Sequence, residues 1–301
     1  MAHVPDPVKK YVLHPVQAAG TFGVYMFFRV LPLDWASALG GFLARKIGPR
    51  VRLSERARRN LRNTFPDMPK AEVERIIAGM WDNLGRVAAE FPHLSEIDVY
   101  SGDGRVVVEG GEYVDHLRDD GEAGIFYSAH IGNWEILALG ATQRGLPLDR
   151  VYREANNRLV EWLYRNGRAA VEGALIPKGP QGVRQLINAF RSGSHLAMLV
   201  DQKMNDGIAV PFFGRPAMTA PALAELALRH NCPVVAARVT RIKGARFKMT
   251  ALPPIRFEKT GDHQADVLAA MTLINEQVEQ WVRDTPEQWL WLHNRWPNGG
   301  E

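Results

Sequence analysis

Gly124-Ile125-Phe126-Tyr127-Ser128-Ala129-His130-Ile131-Gly132-Asn133-Trp134-Glu135 reads as a short apolar strand, a tight polar turn and the start of a helix. A histidine closes the strand and a carboxylate opens the helix, five residues on. On one continuous helix that offset turns through about 140°, which points the two side chains apart. Across a turn they can converge. Gly132 lets the backbone bend, and Asn133 suits the N-cap of the helix that follows. Loops at the carboxyl ends of strands are where α/β proteins place their chemistry. His130 is therefore a candidate general base and Glu135 a candidate orienting carboxylate. The competing interpretation is structural: a histidine and a carboxylate that merely satisfy each other.

Outward from this corner, strands are expected at 105–109, 125–129, 148–153, 174–177, 195–200, 233–241 and 246–252. Helices are expected at 110–119, 134–143, 157–165, 183–191, 220–230 and 266–283. This alternation argues for an α/β fold, with a mostly parallel mixed central sheet flanked by helices. The closely spaced pair 233–241 and 246–252 adds an antiparallel edge. The first third is helical instead, with helices after Asp34 as N-cap, at 54–63 and at 70–91. These patterns divide the chain into an N-terminal helical segment, 1–45, and a main domain, 46–301.

Residues 1–15 are polar and irregular, and 16–33 are mostly apolar, interrupted by Arg29. A run of that length can lie in a membrane interface or barely span a bilayer. It can also be a buried helix. A secretory signal fits less well, since no small-x-small cleavage site follows. Then come Arg45, Lys46, Arg50, Arg52, Arg56, Arg58, Arg59 and Arg62, opposed only by Glu55. Beside a membrane segment, that excess places the following domain on the cytoplasmic face and attracts anionic lipid headgroups. No aromatic stacking platform or binding motif accompanies it, so nucleic acid is not an expected partner.

With 301 residues and 46 % hydrophobic composition, the chain can bury a large core. Cys232 is its only cysteine, which excludes an intrachain disulfide and fits a reducing compartment. G-x-S-x-G, H-E-x-x-H, G-x-G-x-x-G and the Walker A pattern are missing, and no cysteines cluster. Hydrolase, metal-centre, dinucleotide and nucleoside-triphosphate readings lose their support, so neither a metal nor a resident cofactor is expected. What suits His130 is proton abstraction from a hydroxyl that attacks an activated acyl group, with no protein nucleophile.

The chain resembles the lipid A late acyltransferases, the lauroyl/myristoyl transferases of Gram-negative bacteria. His130-Ile-Gly-Asn-Trp-Glu135 fits their H-x4-D/E motif. Tyr152-Arg153, Asn157 and Arg168 fit an Arg…Asn…Arg segment. Asp201-Gln202, Val210-Pro-Phe-Phe-Gly214 and Ala217-Met-Thr219 fit further blocks. Pro286-Glu-Gln-Trp-Leu-Trp-Leu-His-Asn-Arg-Trp296 resembles the C-terminal signature, and Asn60-Leu61…Phe65-Pro66 an N-terminal element. The resemblance covers roughly 15–296, with Asn294 standing where an arginine is usual.

The resemblance implies an acyltransferase domain at 46–301 behind a membrane-associated segment at 1–45. An acyl thioester on acyl carrier protein is the implied donor, and a hydroxyl of a lipid A precursor the acceptor. The runner-up is an acyl-CoA-dependent enzyme on another glycolipid or phospholipid. A lipid-binding protein without chemistry is the third reading. His130 is the implied base and Glu135 its orienter. Arg153 and Arg168, with Lys178, are implied to neutralise lipid phosphate or a developing oxyanion. Asn157 caps a helix or binds substrate. Asp201 positions Arg153 or a substrate group, or forms a turn. Phe212-Phe213 line an acyl tunnel or pack the core, Trp289–Trp296 face lipid or seal the domain, and His293 is a second histidine of interest. The implied location is the inner membrane.

Overall fold

The computed structural model describes residues 13–102 and 104–296; the polar opening of the chain, with Lys9 and Lys10, lies outside them. Four helices come first: α1 (His14–Arg29), α2 (Leu33–Ile47), α3 (Ser54–Thr64) and α4 (Lys70–Glu90). The alternating part follows as β1 (Val106–Glu109), α5 (Gly111–Asp119), β2 (Ile125–Ser128), α6 (Glu135–Gln143), β3 (Leu148–Tyr152) and α7 (Arg158–Gly167). It continues through β4 (Leu175–Pro177), α8 (Pro180–Arg191), β5 (His195–Leu199), β6 (Ile208–Phe212), β7 (Arg215–Thr219) and α9 (Ala222–His230). β8 (Val234–Lys243), β9 (Arg246–Ala251) and α10 (His263–Asp284) complete it.

Seven strands form one sheet in the order β1-β9-β8-β2-β5-β3-β4, the expected α/β architecture. β8, β2, β5, β3 and β4 run parallel, so their carboxyl ends share one edge of the molecule. β8 and β9 are antiparallel, as expected, but they are not the edge. β1 adds outside β9 in parallel, and β8 lies against β2. Both faces are covered. Along β2, Ile125 and Tyr127 enter a core with α4, α9 and α10, while Phe126 enters the one with α5 and α6. A parallel strand buried on both faces reads as an apolar run, as 125–127 does.

The helical third is organised by small residues. α2 crosses α4 where Gly40 meets Gly85: a Cβ on Gly40 would stand 2.5 Å from the Gly85 carbonyl oxygen, and one on Gly85 2.3 Å from that of Gly40. Only glycine permits that approach. Asp34 does not cap α2. The helix starts at Leu33 behind Pro32, two residues before the start that an Asp34 cap would give, and the Asp34 carboxylate pairs with Arg105 at 3.0 and 3.2 Å. α1 has 16 residues, an axial length of about 24 Å, and no described helix is long and apolar enough to cross a membrane. Nor is α1 buried: only Phe28 of it is, while Val16, Phe22, Val24 and Phe27 are exposed.

The β6–β7 ribbon was not expected. Its two-residue turn is Phe213-Gly214, both at positive φ (51° and 67°), the signature of a type I′ hairpin. Phe212 is fully buried against Trp289 and Trp296. Trp289, Trp291 and Trp296 are themselves buried, so Phe212 and the tryptophan group seal the domain and do not face lipid. Within this cluster Arg295 is fully buried, donating to Met218 O, Thr219 Oγ1 and Asn275 Oδ1 over the Phe212 ring.

Candidate active site

The corner at 124–135 has the expected strand–turn–helix form. Gly132 sits at φ +56°, and a Cβ there would lie 1.8 Å from Val239 O, so conformation and space both demand glycine. Asn133 Oδ1 accepts the N–H of Glu135 at 3.2 Å, and its amide donates to the buried Glu90 at 2.8 Å. Asn83 donates to Gly132 O at 2.9 Å. The C-terminal segment clamps the other side: Leu290 N donates to His130 O, and Gly132 N to Gln288 O, both at 3.1 Å.

The carboxylate that meets His130 is Asp201, not Glu135. Asp201 Oδ1 lies 2.7 Å from His130 Nδ1, while Oδ2 accepts the His130 backbone N–H at 2.9 Å and the Trp289 indole N–H at 2.8 Å. Sheet register explains this. β2 and β5 are parallel neighbours with Ser128 opposite Leu199, so two residues further His130 comes opposite Asp201. Burial alone would raise the Asp201 carboxyl, but the His130 ring and these hydrogen bonds hold it well below the usual carboxylate range.

Glu135 turns away into the first turn of α6. There it receives both arms of Arg168, at 2.8 and 2.7 Å. The Arg168 guanidinium lies over the rings of Phe91 and Tyr164, which leaves it committed within the fold. Desolvation opposes its charge, yet Glu135 outweighs that and raises its pKa. Arg150, close by, is lowered to about 10 by burial and by the Arg168 charge. Asn157 caps α7, accepting Leu159 N–H at 3.1 Å, and donates to His14 O of α1 at 2.7 Å. Both ends of its amide are thus used in holding helices together.

Arg153 and Lys178 sit side by side. They follow β3 and β4, whose register pairs Tyr152 with Pro177, and both side chains are exposed. Although the residue as a whole is exposed, partial desolvation of the ammonium lowers the Lys178 pKa, as does the positive charge of Arg153. Lys178 Nζ reaches Gln202 Oε1 at 3.3 Å, and Gln202 Nε2 reaches His130 Nε2 at 3.1 Å. An ammonium can only donate, so the Gln202 oxygen faces Lys178 and its NH2 faces the imidazole. The hydrogen-bond chain then assigns the tautomer: His130 Nδ1 carries the proton to Asp201, and Nε2 presents its lone pair.

His293 is the residue whose place sequence reasoning left most open. Its ring is 4.9 Å from that of His130, and its Nε2 is buried with no hydrogen-bond partner. Burial pushes its pKa down to about 4, so the imidazole is neutral near pH 7. His130, Asp201 and His293 each bring a potential metal-ligand atom within 4.8 Å of the others. The 2.7 Å between His130 Nδ1 and Asp201 Oδ1 is hydrogen-bond length. Two ligands of a tetrahedral zinc stand about 3.3 Å apart, given bonds of about 2.0–2.1 Å.

An imidazole held by a buried carboxylate at the carboxyl edge of an α/β sheet has the geometry to accept a proton at Nε2. The chain belongs to the bacterial lipid A biosynthesis acyltransferase family, which matches it over residues 7–298. It is 26 % identical over 298 residues to the lipid A biosynthesis palmitoleoyltransferase of Escherichia coli K12, covering 94 % of this chain and 92 % of that one. The lipid A biosynthesis lauroyltransferase of the same organism is 23 % identical over 300 residues, covering 94 % and 93 %. A lipid A biosynthesis acyltransferase of Haemophilus influenzae is 29 % identical over 251 residues, covering 79 % and 76 %. Among solved structures, the 1-acyl-sn-glycerophosphate acyltransferase PlsC of Thermotoga maritima superposes with a TM-score of 0.39 at 14 % identity, covering 85 % of this chain and 98 % of that one.

Proposed function

We propose that the protein transfers a fatty acyl chain from a thioester on acyl carrier protein to a hydroxyl of a lipid A precursor, with His130 as general base. The observation that carries this reading is the Asp201–His130 bond, which leaves a lone pair at Nε2. Nε2 takes the hydroxyl proton as the oxygen attacks the thioester carbonyl. The tetrahedral adduct collapses, the C–S bond breaks, and the imidazolium returns its proton to the departing thiolate. Asp201 stays ionised throughout and stabilises the imidazolium.

Arg153 and Lys178 hold a phosphate of the acceptor. They are adjacent exposed cations beside the base, whereas Arg168 is already neutralised by Glu135. The exposed apolar side chains of α1 and α2 lay the protein on the inner membrane, with the domain on its cytoplasmic face. The basic residues around them steer an acidic carrier protein toward the site.

The test is acyl transfer by the purified protein with acyl carrier protein or coenzyme A thioesters, read by mass spectrometry of the lipid product. The expected result is an added acyl mass with the carrier-protein donor. His130→Ala is expected to lower kcat by about 10³-fold, within the range of general-base losses, measured on protein whose thermal unfolding stays cooperative. Preference for the coenzyme A donor would assign the runner-up reading. No transfer from either thioester to any lipid hydroxyl would overturn both.

A further inference from the structure

We infer that Gln202 is a catalytic residue: its side-chain N–H is the donor that meets the oxyanion formed on the thioester carbonyl, and Lys178 is the positioning residue that aims it. The inference rests on the acyl-transfer reading above. An acyl transfer needs donors at the developing oxyanion, and the usual source is backbone N–H groups at the turn beside the base. Three of these are spent here. The N–H of His130 goes to Asp201 Oδ2 at 2.9 Å, that of Ile131 to Ala129 O at 2.8 Å, and that of Gly132 to Gln288 O at 3.1 Å. The Arg168 guanidinium is spent too, on Glu135.

Gln202 is differently placed. Its Nε2 stands 3.1 Å from His130 Nε2, on the spot the acceptor hydroxyl must occupy to give up its proton. Entry of the hydroxyl displaces the amide from the imidazole lone pair and frees its N–H. Lys178, holding Oε1 at 3.3 Å, keeps the amide at the site with that N–H directed inward. When the O–C bond forms, the carbonyl electron pair moves onto an oxygen bonded to the same carbon as the incoming one. The freed N–H, beside the imidazole, is a donor available to it. As the C–S bond breaks, the pair returns to the carbonyl and the amide can cap the imidazole again.

The experiment compares wild type, Gln202→Met and Gln202→Glu in acyl transfer from acyl carrier protein to the lipid A precursor. Methionine keeps the volume without a donor. Glutamate keeps the contact with Lys178, also without a donor, and serves should the methionine variant fold poorly. Both are expected to lose about 10²–10³-fold in kcat, the usual worth of one oxyanion donor, with KM for each substrate within threefold of wild type. Gln202→Glu also sets a negative charge against the base, so the acid limb of its kcat/KM profile should move to higher pH. A kcat within threefold of wild type in the folded variants, or a loss confined to KM, would overturn the role of Gln202 while leaving the acyl-transfer reading intact. A wild-type protein that transfers nothing overturns that reading and this inference together.

Discussion

His130 and Glu135 share a corner of the fold but not a hydrogen bond. The imidazole is held by Asp201 and the carboxylate by Arg168. The five-residue spacing rightly located the corner, and Gly132 and Asn133 gave its shape. Which carboxylate faces the histidine depends on strand order, and one sequence does not contain that. Once β5 is known to neighbour β2, the offset of 71 residues between Ser128 and Leu199 carries directly to His130 and Asp201. A double-mutant cycle separates the two pairings. Glu135→Gln and Arg168→Met should couple by about 1–2 kcal/mol in unfolding free energy, because each single change leaves a part-buried charge without its partner. Glu135→Gln and His130→Ala should show coupling near zero. A large coupling in the second cycle and none in the first would restore Glu135 as the orienter.

At the scale of elements, α1 and α2 turn an unusual amount of apolar surface outward. Trp35 is 71 % exposed, and on the same helix the exposed Phe42 and Ile47 flank Arg45 and Lys46. Aromatic and basic residues together suit the headgroup boundary of an anionic bilayer. Trp35→Glu with Phe42→Glu should lower co-sedimentation with phosphatidylglycerol vesicles at least fivefold, while transfer to a detergent-dispersed acceptor stays near wild type. Unchanged sedimentation would move the membrane face elsewhere. The apolar run of 16–33 was legible in composition, although its helix is short and surface-lying. The Gly40–Gly85 crossing was not legible, since small residues signal close approach only when their partners are known. Nor was the β6–β7 ribbon: Pro211 and Pro216 argue against strands, and Phe213-Gly214 lacks the usual Asn-Gly signal for its turn.

Across the whole molecule, the sheet and most of its helices followed from hydrophobic alternation and length. The chain's last described segment did not. Residues 286–296 return to the centre, where they clamp 130–132, donate Trp289 to Asp201 and set His293 beside His130. α3 fixes this strap, as Asn60 donates to Trp291 O and His293 O at 2.9 Å. The motif at the chain's end is thus a structural part of the site. Its burial of a neutral imidazole links stability to pH. The His293 pKa is about 4 in the fold and about 6.5 when unfolded, so between these values the unfolded chain binds the extra proton. This contribution is complete above pH 6.5 and lost as pH falls toward 4; the depressed Asp201 carboxyl extends the loss below that. The urea midpoint of wild type should fall from pH 7 to 4.5, and that of His293→Asn should fall less steeply. Parallel slopes would mean that His293 does not carry the linkage.

In the proposed mechanism, Asp201 holds His130 in the tautomer that makes it a base. The most direct measurement of this is the kcat of Asp201→Asn in acyl transfer, taken on protein whose thermal unfolding stays cooperative. An amide in that place can donate to Nδ1 and send the proton to Nε2, which removes the lone pair from the substrate side. The kcat should fall by about 10²–10⁴-fold, with KM for both substrates nearly unchanged. A folded Asp201→Asn protein turning over within threefold of wild type would contradict this role of Asp201.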